Sequence, residues 1–172
     1  MLSIRCLALM AVALLVTGCS SFTREASESL PRDAQWGLLP LINYSQAPQA
    51  GERSEHILLS VMAEEGLRPR LYPVVTQDEM PQLDDRERFN QALAWAREEN
   101  LEYVVSGSVD EWQYKSGLDG EPAVGISLQV IEPNSGRVVW SSSGARAGWS
   151  RESLAGTAQK VLRELIGDLS LE

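Results

Sequence analysis

Cysteine occurs only at positions 6 and 19, so the chain beyond residue 19 has none. Whatever folds there has no disulfide, no thiol nucleophile and no sulfur ligand for a metal. Histidine is almost as scarce. His56 is the single one, and its place in the first turn of an expected helix, off the apolar face, makes it a solvated side chain rather than a general base. Phosphate-cradling glycine patterns, HExxH, Cys/His clusters and nucleophile elbows are also missing at the spacings their mechanisms require. No enzyme activity, metal or cofactor is therefore expected. Long hydrophobic runs are absent too: the apolar stretch from Cys6 to Val16 falls short of the ~20 residues that span a bilayer as a helix.

That stretch follows Arg5 and precedes "VTGCSS", the arrangement of a signal peptide that is removed. Small residues directly before Cys19 resemble a bacterial lipobox. Cleavage after Gly18 would leave residues 1–18 as signal peptide and free Cys19 to carry diacylglycerol on sulfur and a fatty acyl group, such as palmitate, on nitrogen. Several acyl chains on one residue anchor stably, at about 0.8 kcal/mol per buried methylene. Ser20 in place of Asp after the lipidated cysteine implies the outer membrane, by the sorting rule of such lipoproteins. Without Arg5 the chain holds 14 basic and 24 acidic residues, a balance that disfavours nucleic acid and favours cationic or neutral partners.

Residues 19–34, with Pro31 and few aliphatics, read as a lipidated tether, and residues 35–172 as one periplasmic domain. "WGLLPLI" (36–42) reads as a buried strand in which Pro40 implies an edge or a bulge. Ser54 is expected to cap a helix carrying Ile57, Leu58, Val61 and Met62, which stops at Gly66 with Leu67 behind it. Residues 68–75 suggest a second strand. Asp84 and Glu87, at capping-box spacing, open a helix that ends at Asn100. From Leu101 the period becomes two, giving three strands joined by "LDGEP" and "EPNSG". Ser150 is expected to cap a last helix whose stripe runs from Leu154 through Leu165 to Leu169. The result is an α/β fold, a mostly antiparallel sheet layered with about three helices.

Carboxylates are the remaining candidates for chemistry. Asp110 and Glu111 are adjacent in a strand, so period two sends them to opposite faces. Asp119 and Glu121 flank a hairpin glycine, where turn chemistry explains them better than a site does. The acids of residues 84–88 and the pairs at 64–65 and 98–99 read as caps and solvated faces. Of the five tryptophans, Trp140 is expected to point inward together with Val138, and Trp95 to be a boundary or subunit-contact residue. Trp149, in "GARAGWSRES", is claimed by neither helix nor strand periodicity. A tryptophan beside Arg146 and Arg151 suits a membrane interface, where the ring sits at headgroup level and arginine meets anionic lipid; its competing placement is under the last helix.

"EYVVSGSV" and "VIEPNSGRVVW" resemble the paired signature of TolB-N-terminal-like and CsgG-like periplasmic domains. Together with the lipobox, "SSFTREASE", "WGLLPLINYS" and "GWSRES", the whole chain resembles the PelC family of outer-membrane lipoproteins of Pel exopolysaccharide export, which supports the biofilm matrix. The resemblance implies a non-catalytic homo-oligomeric ring, dodecameric in relatives, on the periplasmic face of the outer membrane. The ring would guide a cationic exopolysaccharide to an outer-membrane barrel partner, PelB. Asp110, Glu111, Asp119 and Glu121 are candidates for the guiding acids, and Trp149 would repeat as an aromatic belt. A CsgG-like pore would need a spare pair of ~10-residue strands with a lipid-facing apolar band, and the sequence offers none. A TolB-like protein-binding module of the cell envelope is the alternative.

Overall fold

A computed structural model of the chain describes residues 20–24, 29–73, 85–115, 120–149 and 151–172. In chain order the elements are β1 (Ser20–Arg24), β2 (Trp36–Asn43), α1 (Ala50–Glu64), β3 (Arg70–Leu71), α2 (Asp85–Glu98), β4 (Tyr103–Tyr114), β5 (Pro122–Glu132), β6 (Arg137–Ala147) and α3 (Leu154–Gly167). The strands form one sheet in the order β1-β6-β5-β4-β2-β3. Pairing is antiparallel from β1 through β6 and β5 to β4, and parallel where β2 meets β4 and β3.

Side chains alternate across a strand, so neighbours in sequence feed two cores. Leu38, Val105, Val109, Ile126 and Trp140 face α1 and α3. Leu39, Val104 and Ile131 face Ala92 and Ala96 of α2 on the other side. From α3 alone, Val161, Leu162, Leu165 and Ile166 are fully buried, and each such side chain contributes about 1.5–3 kcal/mol.

Both expected helix stops are present and share one geometry. Gly66 is left-handed (φ 84°), with Leu67 N–H donating to Met62 O at 2.9 Å and Gly66 N–H to Ala63 O at 3.1 Å. Asn100 does the same at φ 55°, with Leu101 N–H donating to Ala96 O at 3.0 Å. Only residues that tolerate positive φ can make this turn.

The helix starts differ from expectation. The first helix begins at Ala50, and Ser54 is buried inside it. Gly51 allows the earlier start, because a Cβ there would lie 2.6 Å from the Leu41 carbonyl oxygen. The cap of α3 is Ser153, whose Oγ accepts from Gly156 N–H at 3.0 Å; Ser150 lies outside the described residues, as does Asp84. The second expected strand shrinks to Arg70–Leu71, and residues 74–75 are also outside the description.

The segment expected to be a free tether is partly structured. Ser20–Arg24 pairs along β6, held by Phe22, whose ring lies where a Cβ on Gly144 would be, 2.3 Å away. Further on, Leu30 bridges to Leu171 and Pro31 O accepts from Trp36 Nε1 at 3.1 Å. Phe22 and Leu30 supply the apolar contacts that the polar average of the segment conceals.

Pro40 marks a bulge, as expected: the β2–β4 register shifts between Leu38 and Leu41. The Leu41 N–H donates instead to Glu55 Oε1 of α1 at 2.8 Å. Burial is the leading influence on this carboxyl and raises its pKa, opposed by the Leu41 hydrogen bond and by Arg88. The folded state therefore favours the protonated form, and folding stability falls as pH climbs from the ordinary carboxylate value through the raised one. Glu55→Gln keeps the acceptor and removes the charge, so the variant should gain stability at neutral pH and lose that part of the pH dependence in denaturant titrations. Glu55→Ala should instead cost about 1–3 kcal/mol, because it strands a buried N–H.

Candidate functional site

The stretch from Ala147 to Ser153 turns from β6 into α3. Gly148 N–H donates to Pro122 O at 2.7 Å, tying the turn to the start of β5, and Glu152 N–H donates to Trp149 O at 2.8 Å. Glu152 also folds back, its Oε2 accepting from Trp149 N–H at 3.1 Å, while its Oε1 meets Lys160 Nζ. The turn is thus fixed by one carboxylate, yet the Trp149 side chain stays 56% exposed. It does not fold under α3.

Arg151 is exposed beside it. Arg146 differs: it is half-buried and pairs across the sheet with the core residue Val124. Its Nε is shut off from solvent without a hydrogen-bond partner among the described residues. Ser20 stands opposite Arg146 in the β1–β6 ladder. Ser20, the residue after Cys19, therefore lies at the same end of the sheet as Trp149. Cys19 itself is outside the described residues.

Glu121 joins this end as well. It precedes Pro122, its carbonyl accepts from Lys115 N–H at 2.8 Å, and its side chain is exposed. Asp119 lies outside the described residues.

Asp110 and Glu111 correct the expectation that they face opposite ways. The β4–β5 register shifts between Val109 and Glu111, a bulge that inserts one residue and breaks the alternation. Val109 and Trp112 consequently both point into the α1/α3 core, with the two acids between them. Asp110 accepts from Ser108 Oγ and Ser127 Oγ, each at 2.8 Å. The Glu111 Cβ lies against Gly125, two residues from Ser127 on the same side of β5. Both carboxylates thus stand on the face opposite α1 and α3. The clue available in the sequence was Val109 and Trp112 themselves: two core-sized apolar residues at odd spacing require a bulge.

A similar shift between Val130 and Ile131 corrects a second expectation. Trp140 is buried, but Val138 is 47% exposed. Trp95 is half-buried edge-on to Tyr72, with ring centroids 5.5 Å apart at 74°, which places it at a boundary. Trp112 belongs to the core and Trp36 packs on Tyr103, with centroids 5.2 Å apart.

The part of the sheet that α2 does not reach is lined by short polar side chains. Thr23, Ser143, Ser127 and Ser108 form one cross-strand row, and Ser141 and Gln129 the next. Above them lies a groove of about 500 Å³ rimmed by Tyr44, which is 69% exposed. Among the described residues no group of three or more His, Cys, Asp or Glu could hold a metal ion, and no helix is long and apolar enough to cross a membrane.

Glu152→Ala should loosen the turn without unfolding the domain. The Trp149 amide should then exchange its hydrogen about fivefold faster, the equivalent of one hydrogen bond worth ~1 kcal/mol. Hydrogen exchange read by NMR or mass spectrometry checks this.

No protein-family model and no curated protein matches the chain, whereas solved structures do. The PelC dodecamer of Paraburkholderia phytofirmans is 32% identical, covers 90% of this chain and 99% of its own, and superposes with a TM-score of 0.75. A single-substitution variant of that dodecamer in a second crystal form gives 30% identity, coverage of 90% and 100%, and a TM-score of 0.76. A lipoprotein of Neisseria meningitidis shares the fold at 14% identity, covering 78% of this chain and 96% of its own, with a TM-score of 0.55. At that identity and coverage of the Paraburkholderia protein, the chain belongs to the PelC family.

Proposed function

We propose that this protein is a lipid-anchored, non-catalytic member of the Pel export machinery. Its copies form a ring on the periplasmic face of the outer membrane and guide a cationic exopolysaccharide to an export barrel, PelB. The observation that carries the membrane placement is the pairing of Ser20 with Arg146. It sets the chain next to Cys19 at the end of the sheet that presents Trp149 and Arg151, so lipid and aromatic meet one surface. Arg146 stands at the same end, but its buried Nε leaves Arg151 as the freer cation for anionic headgroups. A ring, dodecameric by analogy with the Paraburkholderia relative, would repeat Trp149 as a belt.

Guidance of the polymer rests on charge. The net charge of −9 for the whole chain raises the local concentration of a cationic polymer without tight binding of any one sugar. Asp110 and Glu111, brought to one face by the bulge, and Glu121 at the membrane end are the described residues that fit this role. Asp119 is the fourth candidate.

Trp149→Ala should leave stability within about 0.5 kcal/mol, as expected of an exposed position, while lowering both vesicle binding and Pel export. Cosedimentation with anionic vesicles and a thermal melt check this, and a large drop in melting temperature would return the ring to a packing role. Cys19→Ser should move the protein out of the outer-membrane fraction. Full retention there, with export intact, would mean that lipid is not the principal anchor.

A further inference from the structure

The chain is acidic, with 24 acids against 15 lysines and arginines, yet one groove has no acid among its described lining residues. It lies between α1 and α3 over the end of β4 and holds about 510 Å³, within the ~300–1,000 Å³ that suits a small ligand. Arg163 of α3 pairs with Glu64 at the end of α1 at 2.8 Å, whereas Arg53 of α1 and Leu154 of α3 meet at the groove. The two helices therefore run in the same direction, and both turn their positive N-terminal ends this way. At the start of α3 the Ser153 side chain serves the Gly156 N–H, which leaves the N–H groups of Leu154 and Ala155 without an acceptor among the described residues. Arg53 and His56 stand exposed on one face of α1, and Arg53 has no ion pair among the described residues. Nearby acids are engaged elsewhere: Glu52 and Glu55 lie 3.8 and 3.9 Å from Arg88, and Glu152 holds the Trp149 N–H and Lys160. A helix start with free amides beside unpaired basic side chains suits an anion.

The rest of the lining is apolar. Ile57 and Leu154 are half-buried, Tyr114 is 52% exposed, and Trp112 forms the inner wall at 4% exposure. The Trp112 Nε1 has no hydrogen-bond partner, although a buried indole N–H ordinarily finds one. A ligand that suits both parts joins an anionic group to an apolar body and carries an acceptor between them. A glycerophospholipid has that order, from phosphodiester through ester carbonyls to acyl chains. The groove also adjoins the turn that bears Trp149. Tyr114 pairs with Pro122, whose carbonyl accepts from Gly148 N–H, and Trp112, Val124, Arg146 and Ser20 form one cross-strand row. We propose that the groove binds an anionic phospholipid, with its phosphodiester among Arg53, His56 and the first amides of α3, an ester carbonyl toward Trp112, and its chains against Ile57, Leu154 and Tyr114. This rests on the membrane placement of the proposed function and adds a headgroup site to it.

The full lipidated chain is reconstituted into phosphatidylcholine vesicles doped with phosphatidylglycerol that carries a diazirine in its acyl chain. After irradiation, adducts are mapped by mass spectrometry, with diazirine-bearing phosphatidylcholine in a parallel sample. Phosphatidylglycerol should label the peptides holding Ile57 and Leu154 more than phosphatidylcholine does. Arg53→Gln should lower that yield about fivefold, the effect of one cation near an anionic lipid, and leave the yield at the Trp149 turn unchanged. Should that variant misfold, the contrast between the two lipids on the unsubstituted chain decides. Equal yields from both lipids overturn the headgroup site and leave a bare apolar contact. Loss of the groove adducts in excess inorganic phosphate overturns it too, in favour of a free-phosphate site. Adducts at the Trp149 turn but none in the groove overturn the inference and leave the membrane placement standing. Adducts at neither overturn the placement and this inference with it.

Discussion

A sheet of six strands has two faces, and among the described residues the three helices do not cover both. α1 and α3 lie side by side over the long strands and seal one face, which takes most of the apolar side chains. α2 covers the other face only where β2 and β4 run parallel, over Leu39, Val104 and Ile131. Everything distal to it on β5, β6 and β1 must therefore be polar or partnered. That constraint explains why the core-facing positions of β5 are Val124, Ile126, Leu128 and Val130, while the intervening Gly125, Ser127 and Gln129 are small or polar. It also explains why the notable surface features of the molecule, the hydroxyl rows and the bulged acids, fall on the open side.

Bulges then decide which residues reach that side. Strict alternation would place Val109 and Trp112 on opposite faces and expose a tryptophan or a valine. Inserting one residue at Asp110 returns both to the core, and the two acids between them have only the open face left. The same device in β2 works in reverse. Pro40 has no N–H to give, the ladder breaks, and the freed Leu41 N–H is claimed by a carboxylate from α1. One bulge thus presents charge to the outside, and the other draws charge inward to where burial holds Glu55 above the usual carboxylate range.

Period and helix stops were legible in the sequence because they depend on local chemistry. A left-handed stop needs Gly66 or Asn100 followed by an apolar residue, and both appear in the expected places. Helix starts were less legible, since several serines near a start can serve as caps and only tertiary contact selects among them. Gly51 against Leu41 set the start of α1, and Ser54 was buried instead of capping. The strand Ser20–Arg24 was not legible at all, because its composition is that of a linker and its docking depends on Phe22 finding the space above Gly144. Trp149 was legible for the opposite reason: no periodicity claimed it, and it is exposed.

The β1 strand changes what Trp149 is for. On a free linker of about fifteen residues, a lipid would hold the domain within ~50 Å of the bilayer and leave its tilt undetermined. The acyl chains proposed at Cys19 would supply most of the affinity, and one aromatic per copy a smaller share. With the lipid at Cys19 as proposed, pairing of Ser20 with Arg146 would remove the slack at that end, and Trp149 on the adjoining turn, whose backbone N–H is held by Glu152, would supply a second point of contact. Two such points per copy would limit its tilt. Copies oriented alike on one membrane would close a ring at a lower entropic cost, because part of their alignment would already be fixed.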